Sequence, residues 1–215
     1  MAVYGVHLGA VSASARCSTV SHMAPGTADR IAAEASAILG AEGEDAVSMR
    51  RVAAAVGITP MAIYRHFPNR EALLRAVAER GWGQLSQRWG QRARQDNPRA
   101  ELRRSLNALL DFALEQPRLY ALLYAVPSGQ GNHSGDVDFR TDESPVLSSV
   151  VAAVDEGMHR GVFEPDDVSE VALSIVALMH GLISMHHAGR LGLSDPEFRA
   201  LCGTAMTRLL HGVGA

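Results

Sequence analysis

Tyr64, Arg65, His66 and Arg70 crowd into GITPMAIYRHFPNREALL, the stretch from Gly57 to Leu74. A phenol, an imidazole and two guanidiniums are hydrogen-bond donors that suit an anionic partner, and arginine matches a phosphate or a guanine edge with two parallel bonds. Arg50 adds a third guanidinium just upstream. None of these groups forms a nucleophile–base pair, and the chain carries no phosphate-cradling glycine loop and no dinucleotide fingerprint. The chemistry available is anion binding, not bond making, and no enzyme activity is predicted.

Charge along the chain agrees. The net charge is −3, but Ser48–Arg75 carries Arg50, Arg51, Arg65, Arg70 and Arg75 against Glu71 alone. The segment 130–170 holds ten acidic residues against Arg140 and Arg160. A basic N-terminal module followed by an acidic body points to a polyanion partner at one end. All 20 basic residues are arginine, which carries no functional signal by itself.

The elements that must hold these side chains are helical, and no segment alternates as a strand would. Ile31, Ala35, Ile38 and Leu39 form one apolar stripe on a helix from about Thr27 to Leu39, which AEGE at 41–44 interrupts. Ser48 is a good N-cap for a short second helix, and Gly57 stands where a left-handed C′ residue would close it. Thr59 caps a third helix with Pro60 at its first position, where the missing N–H costs nothing. Pro68 forces that helix to end by Phe67. About eight residues cannot hold a helix alone, so Ile58, Ile63 and Phe67 must pin it. Asn69 then caps a long fourth helix running to about Arg92. Further helices are predicted at about 99–115, 117–126, 145–160, 166–188 and 195–212. The fold class is all-α, with a helix-turn-helix domain at 25–75 and a body at 76–215. Residues 1–24 read as a disordered extension and 127–145 as a mobile loop rich in Gly, Ser and Asp.

Two short helices joined by a glycine turn make a helix-turn-helix, whose second helix can enter a DNA major groove. Outside its core positions this one offers Thr59, Pro60, Met61, Ala62, Tyr64, Arg65 and His66. Tyr64 and His66 can bond phosphates, while Arg50, Arg65 and Arg70 can take phosphates or guanine edges. Met61 and Ala62 offer apolar contact to thymine methyls, and the helix N-termini at Thr59 and Asn69 favour phosphate.

Arg30 to Leu74 resembles the DNA-binding domain of TetR-family transcriptional repressors. The resemblance lies in Arg30-Ile31, Ala35, Gly43, Val52-Ala53, Gly57-Ile58-Thr59, Ile63-Tyr64-Arg65-His66-Phe67 and Asn69-Arg70-Glu71-Ala72-Leu73-Leu74. It implies a cytoplasmic homodimer that binds a palindromic double-stranded operator and releases it when a small apolar molecule enters the body. Carried over by position, Arg50 and Thr59–Ala62 face bases, and Tyr64, His66 and Arg70 contact phosphates. Arg70 departs from the family's usual lysine, and a helix beginning Thr-Pro-Met-Ala has few hydrogen-bonding side chains with which to read sequence.

In the body, EQPRLY at 115–120 and ALMHGLIS at 177–184 resemble one branch of that family. Ala177, Gly181, Ser184 and Ala188 place small residues on one helix face, and Ala205 and Leu209 on the last helix would complete a four-helix dimer contact. Trp82, Trp89, Phe112, Tyr120, Tyr124, Met158 and Met179 are candidates to line an apolar effector cavity. Gly81-Trp82-Gly83 is expected to act as a pivot where the fourth helix leaves the DNA-binding module.

The alternative is a metal-responsive regulator using His180, His186 and His187, or Glu156 with His159. That Glu-x-x-His pair occurs once, and adjacent histidines on a helix diverge by about 100°. No metal or other cofactor is therefore predicted. Cys17 and Cys202 form neither a disulfide framework nor a metal spacing. No apolar run approaches the roughly 18 residues that cross a bilayer, so no membrane association is expected. The opening MAVYGVHLGAVSASARC lacks the basic start of a secretion signal, and His7 interrupts its apolar segment.

Overall fold

The structure, a computed structural model, describes residues 26–90, 95–125 and 145–213. The N-terminal extension, the 127–144 loop and the end of the fourth helix near Arg92 lie outside those residues. The described residues are helical throughout: α1 (Thr27–Glu42), α2 (Met49–Val56), α3 (Pro60–Ile63), α4 (Arg70–Gly90), α5 (Pro98–Glu115), α6 (Pro117–Ala125), α7 (Pro145–His159), α8 (Val168–His187) and α9 (Asp195–Val213). A single 3-10 turn at Glu44–Ala46 joins α1 to α2.

The capping chemistry sets the N-terminal module. Ser48 Oγ accepts from Arg51 N at 3.3 Å. Thr59 Oγ1 accepts from Ala62 N at 3.2 Å, and Asn69 Oδ1 from Ala72 N at 2.8 Å. Gly57 is left-handed (φ 77°, ψ 33°), and its N–H closes α2. Side chains beyond glycine rarely adopt that conformation, so the α2–α3 turn depends on it. The third helix is shorter than its spacing predicts, four residues in place of about eight. With Pro68 barring helical continuation, residues 64–66 close by tighter bonds, Arg65 N to Ala62 O (3.2 Å) and His66 N to Ile63 O (3.0 Å).

Ile31, Ala35, Val52, Ile63, Leu73 and Val77 share the core of this module and are essentially inaccessible. The body continues the same core, with α7 lying against both α5 and α8, and α9 on α8. Gly157 on α7 makes room for Phe163, whose ring would be 2.1 Å from any Cβ there. α6 is the bridge between the two regions, because it touches α1 and α4 as well as α5. Arg118 in its first turn donates to Gly40 O of α1 at 2.8 Å.

α8 is the most apolar element: an 18-residue window in it has a mean hydropathy of 1.7, long and apolar enough by length and composition alone to cross a membrane, a test that the core helix of a soluble protein also passes. The sequence conceals this because His180, His186 and His187 break up the apolar pattern. In the fold, Val171, Ala172, Ile175, Met179 and Ile183 bury one side of α8 in the body.

Candidate nucleic-acid interface

The short α3 divides its residues cleanly. Ile63 is fully buried and Phe67 nearly so, while Ile58 is half-buried against the same core. The next positions point the other way: Met61 is 73% exposed and Tyr64 50%. Thr59, Pro60, Arg65 and His66 are exposed beside them, Ala62 is half-buried, and Arg50 is exposed on α2. Among the described residues, the side chains of Arg50, Tyr64, Arg65 and His66 make no hydrogen bond or ion pair. The short α3 and the turn that closes it thus carry an exposed thioether, phenol, imidazole and guanidinium, an open polar surface around one apolar tip.

Arg70 is placed differently from its neighbours. Its Nε donates to Val47 O at 2.8 Å and its Nη2 to Glu44 O at 2.7 Å, with Glu44 Oε1 at 3.4 Å. The fork of the guanidinium thus ties the start of α4 to the α1–α2 connection, and it is half-buried in doing so. Arg30 similarly donates to Val56 O at the end of α2, and Arg51 pairs with Glu42.

In the body, the aromatic residues chosen from sequence come together, but on each other. Trp82 meets Tyr124 edge-on at 5.4 Å, and Tyr124 lies 4.7 Å from Tyr120 and 4.0 Å from His180. Phe112 is 6.4 Å from Tyr120. The Tyr120 hydroxyl is hydrogen-bonded to His180 Nδ1. Burial pulls the His180 imidazole down to about 4 and pushes the Tyr120 phenol up. With both groups neutral near pH 7, the phenol donates and the imidazole accepts. Burial also lowers His187, whose Nε2 is enclosed without a partner. Met158 is half-buried against the same core, and Trp89 is half-buried nearer the end of α4.

A cleft of about 210 Å³ lies elsewhere, between α5, α8 and α9. Of the candidate effector residues, Met179 lines it; Trp82, Phe112, Tyr120, Tyr124 and Met158 do not. Large flat rings from α4, α5 and α6 instead pack against one another. Arg99, Arg103, Cys202 and Met206 line the cleft and were missed. The available signal was the i, i+4 spacing of Arg99 and Arg103 beside the apolar Leu102 and Leu106.

The small-residue face of α8 is open. Ala177, Gly181, Ser184 and Ala188 are all exposed, and a Cβ at Gly181 would meet nothing within 4 Å. Ala205 and Leu209 on α9 are half-buried. The histidines do not converge. His180 faces Tyr120, His186 stacks on Phe198 at 4.1 Å near Asp195, and His159 pairs with Asp155. No three metal-binding side chains meet among the described residues.

Residues 27–77 match the family profile described as bacterial regulatory proteins, tetR family, and residues 102–209 match the tetracyclin repressor-like C-terminal domain. The chain belongs to the TetR family. It is a TetR-family DNA-binding transcriptional regulator, with its helix-turn-helix in α2–α3 and its C-terminal domain in the helical body. A protein of unknown function from Rhodococcus sp. RHA1 superposes with a TM-score of 0.71 at 27% identity, covering 91% of this chain and 100% of that one. BioQ, solved with its natural double-stranded DNA operator, is similar in fold at 23% identity and a TM-score of 0.59, over 88% and 98% of the two chains. The nucleoid occlusion factor SlmA of Glaesserella parasuis serovar 5 (strain SH0165) is 30% identical over 82 residues. That stretch is 38% of this chain and 41% of SlmA, so the chain spans under half the length of this relative.

Proposed function

We propose that this TetR-family regulator is a cytoplasmic repressor that binds a palindromic operator as a homodimer and releases it when a small, largely apolar molecule enters the body. The observation that carries the DNA half is the division of α3, with Ile63 sealed in the core and Met61 and Tyr64 turned outward. Arg50 and Thr59–Ala62 take the base-facing positions, and Tyr64, His66 and Arg65 position the module on phosphates. Arg70 supports that surface from behind by fixing the start of α4. A fold shared with BioQ, which was captured on a double-stranded operator, supports the same docking mode. The open face of α8 with Ala205 and Leu209 supplies the dimer contact, since two copies of a self-complementary face generate the two-fold symmetry of a palindrome.

The release half rests on the cleft between α5, α8 and α9 and on α6. Because α6 contacts α5, α1 and α4 together, a displacement of α5 is transmitted to the first and last helices of the DNA-binding module.

Selection of bound duplexes from a random pool tests this reading. The expected result is enrichment of one inverted repeat, with an affinity that falls with salt at a log–log slope of about −0.9 per phosphate neutralised. Tyr64→Phe should weaken binding to all sequences alike, whereas changes at Arg50 or Met61 should alter the preferred sequence. No binding to duplex DNA at low salt would overturn it.

A further inference from the structure

We infer that the α5–α8–α9 cleft accepts an amphiphilic anion, a compact apolar body carrying one anionic head, with Arg103 as the residue that selects the head. This deepens the effector reading above and rests on it for regulation, though not for binding.

The cleft has two distinct zones. Its floor is apolar and buried: Leu106, Leu110, Met179, Met206 and the Cys202 thiol. Its rim is polar and exposed, with Arg99, Arg103, Asn107 and Thr207 among the lining residues and no carboxylate. An apolar cavity with a few polar groups gathered at one side is the usual form of a small-molecule site. At about 30 Å³ per water, its volume corresponds to about seven waters or a ligand of about ten non-hydrogen atoms.

The charge at the rim is uncompensated, and the neighbouring pairings explain why. Glu101 is held by Arg104 through bonds of 2.5 and 3.1 Å. Asp111, the other acid near Arg103, is paired with Arg199 at 2.5 Å. Each nearby carboxylate therefore already has a cation, and among the described residues Arg103 engages none. Arg99, one turn earlier on α5, is fixed in place by donating to Val162 O at 2.8 Å and lying over the Phe163 ring at 5.2 Å. It adds a second positive charge to the same rim without being free to turn away. Thr207 already donates to Gly203 O, so toward the cleft its hydroxyl can only accept. A guanidinium with no partner beside an apolar floor favours a carboxylate or another planar oxyanion over a neutral or cationic head, because the charge-assisted fork is available to the anion alone.

The test uses the full chain and three eight-carbon probes, octanoate, octanol and octylamine, measured by isothermal titration calorimetry. Octanoate should bind at least about tenfold more tightly than either of the others. Arg103→Gln should remove that preference and bring octanoate to the affinity of octanol. Gly203 lies at the mouth with open space around it, so Gly203→Leu should fill the cleft without disturbing the fold and abolish binding of all three probes. An octanoate affinity no greater than that of octanol, or a wild-type profile in either variant, would overturn the inference. Operator binding is scored in parallel on the same samples. A protein that prefers octanoate but never binds duplex DNA keeps this site and loses the regulator reading, whereas a DNA-binding protein without the preference keeps the regulator and loses the site.

Discussion

Arg70 and Tyr64 both belong to the recognition motif, yet only the Arg70 side chain is tied to the rest of the chain. Tyr64 stands half-exposed with no protein partner, so its hydroxyl is available to a phosphate. Arg70 instead bridges the carbonyls of Glu44 and Val47, using the two-pronged donor geometry that lysine lacks. The usual family lysine is a point charge that can reach outward, whereas this arginine is a bracket between α4 and the α1–α2 turn. Arg70→Ala is therefore expected to lower unfolding stability by about 1–3 kcal/mol, the range for charge-assisted bonds. Arg70→Lys should recover little of that loss while keeping the charge, and denaturant titration of both variants would show it. A midpoint unchanged in Arg70→Ala would remove the bracket role. At this scale the sequence discloses residue type and helical face well, as the burial of Ile31, Val52, Ile63 and Phe67 shows. It does not disclose which way a long side chain turns. That choice depends on carbonyls left unpaired more than twenty positions upstream, which periodicity does not register.

Capping explains why the starts of α2, α3 and α4 were legible to the residue. Ser48, Thr59 and Asn69 each bond an N–H within the first turn of their helix, a local interaction that the sequence carries in full. The cleft between α5, α8 and α9 was not legible, because a cavity is the space that several distant elements fail to fill. The glycines of α4 illustrate both cases. Gly81 and Gly83 read from sequence as a pivot, and α4 runs unbroken through both. A Cβ at Gly81 would sit 3.0 Å from Leu119 Cδ1 and from Leu123 Cδ2, so this glycine lets α4 approach α6 closely. Gly83 faces open space. Gly83→Ala should thus stabilise the protein by about 0.5–1 kcal/mol through helix propensity alone. Gly81→Leu should force α4 from α6 and destabilise by about 1–3 kcal/mol, with a change in operator affinity because α6 also holds α1. Thermal melts and DNA titrations of the two variants separate these outcomes; equal effects at both positions would remove the distinction between the two glycines.

At the scale of the whole molecule, α8 poses the problem of what covers its outer side. One side is sealed into the body, yet only 33% of its most apolar window is buried within the chain. The remainder includes Leu173 at 39% and Met185 at 43% exposure, flanking Ala177, Gly181 and Ser184. Such a surface is apolar enough to favour covering, and its small residues permit close backbone approach. Gly181 is the position at which fold and assembly can be separated. Within one chain a side chain added there meets no atom, and leucine has the higher helix propensity, so the protomer should fold at least as well. In the proposed dimer, with this face of α8 against its copy, the same leucine would hold the paired helices apart. Gly181→Leu is therefore expected to raise the dimer dissociation constant by tenfold or more in sedimentation equilibrium, with the helical circular dichroism spectrum unchanged. Binding to a two-half-site operator should fall with it, while the weaker affinity for a single half-site is preserved, since α2 and α3 lie in the other module. A variant that remains as dimeric as the wild type would move the interface off this face of α8.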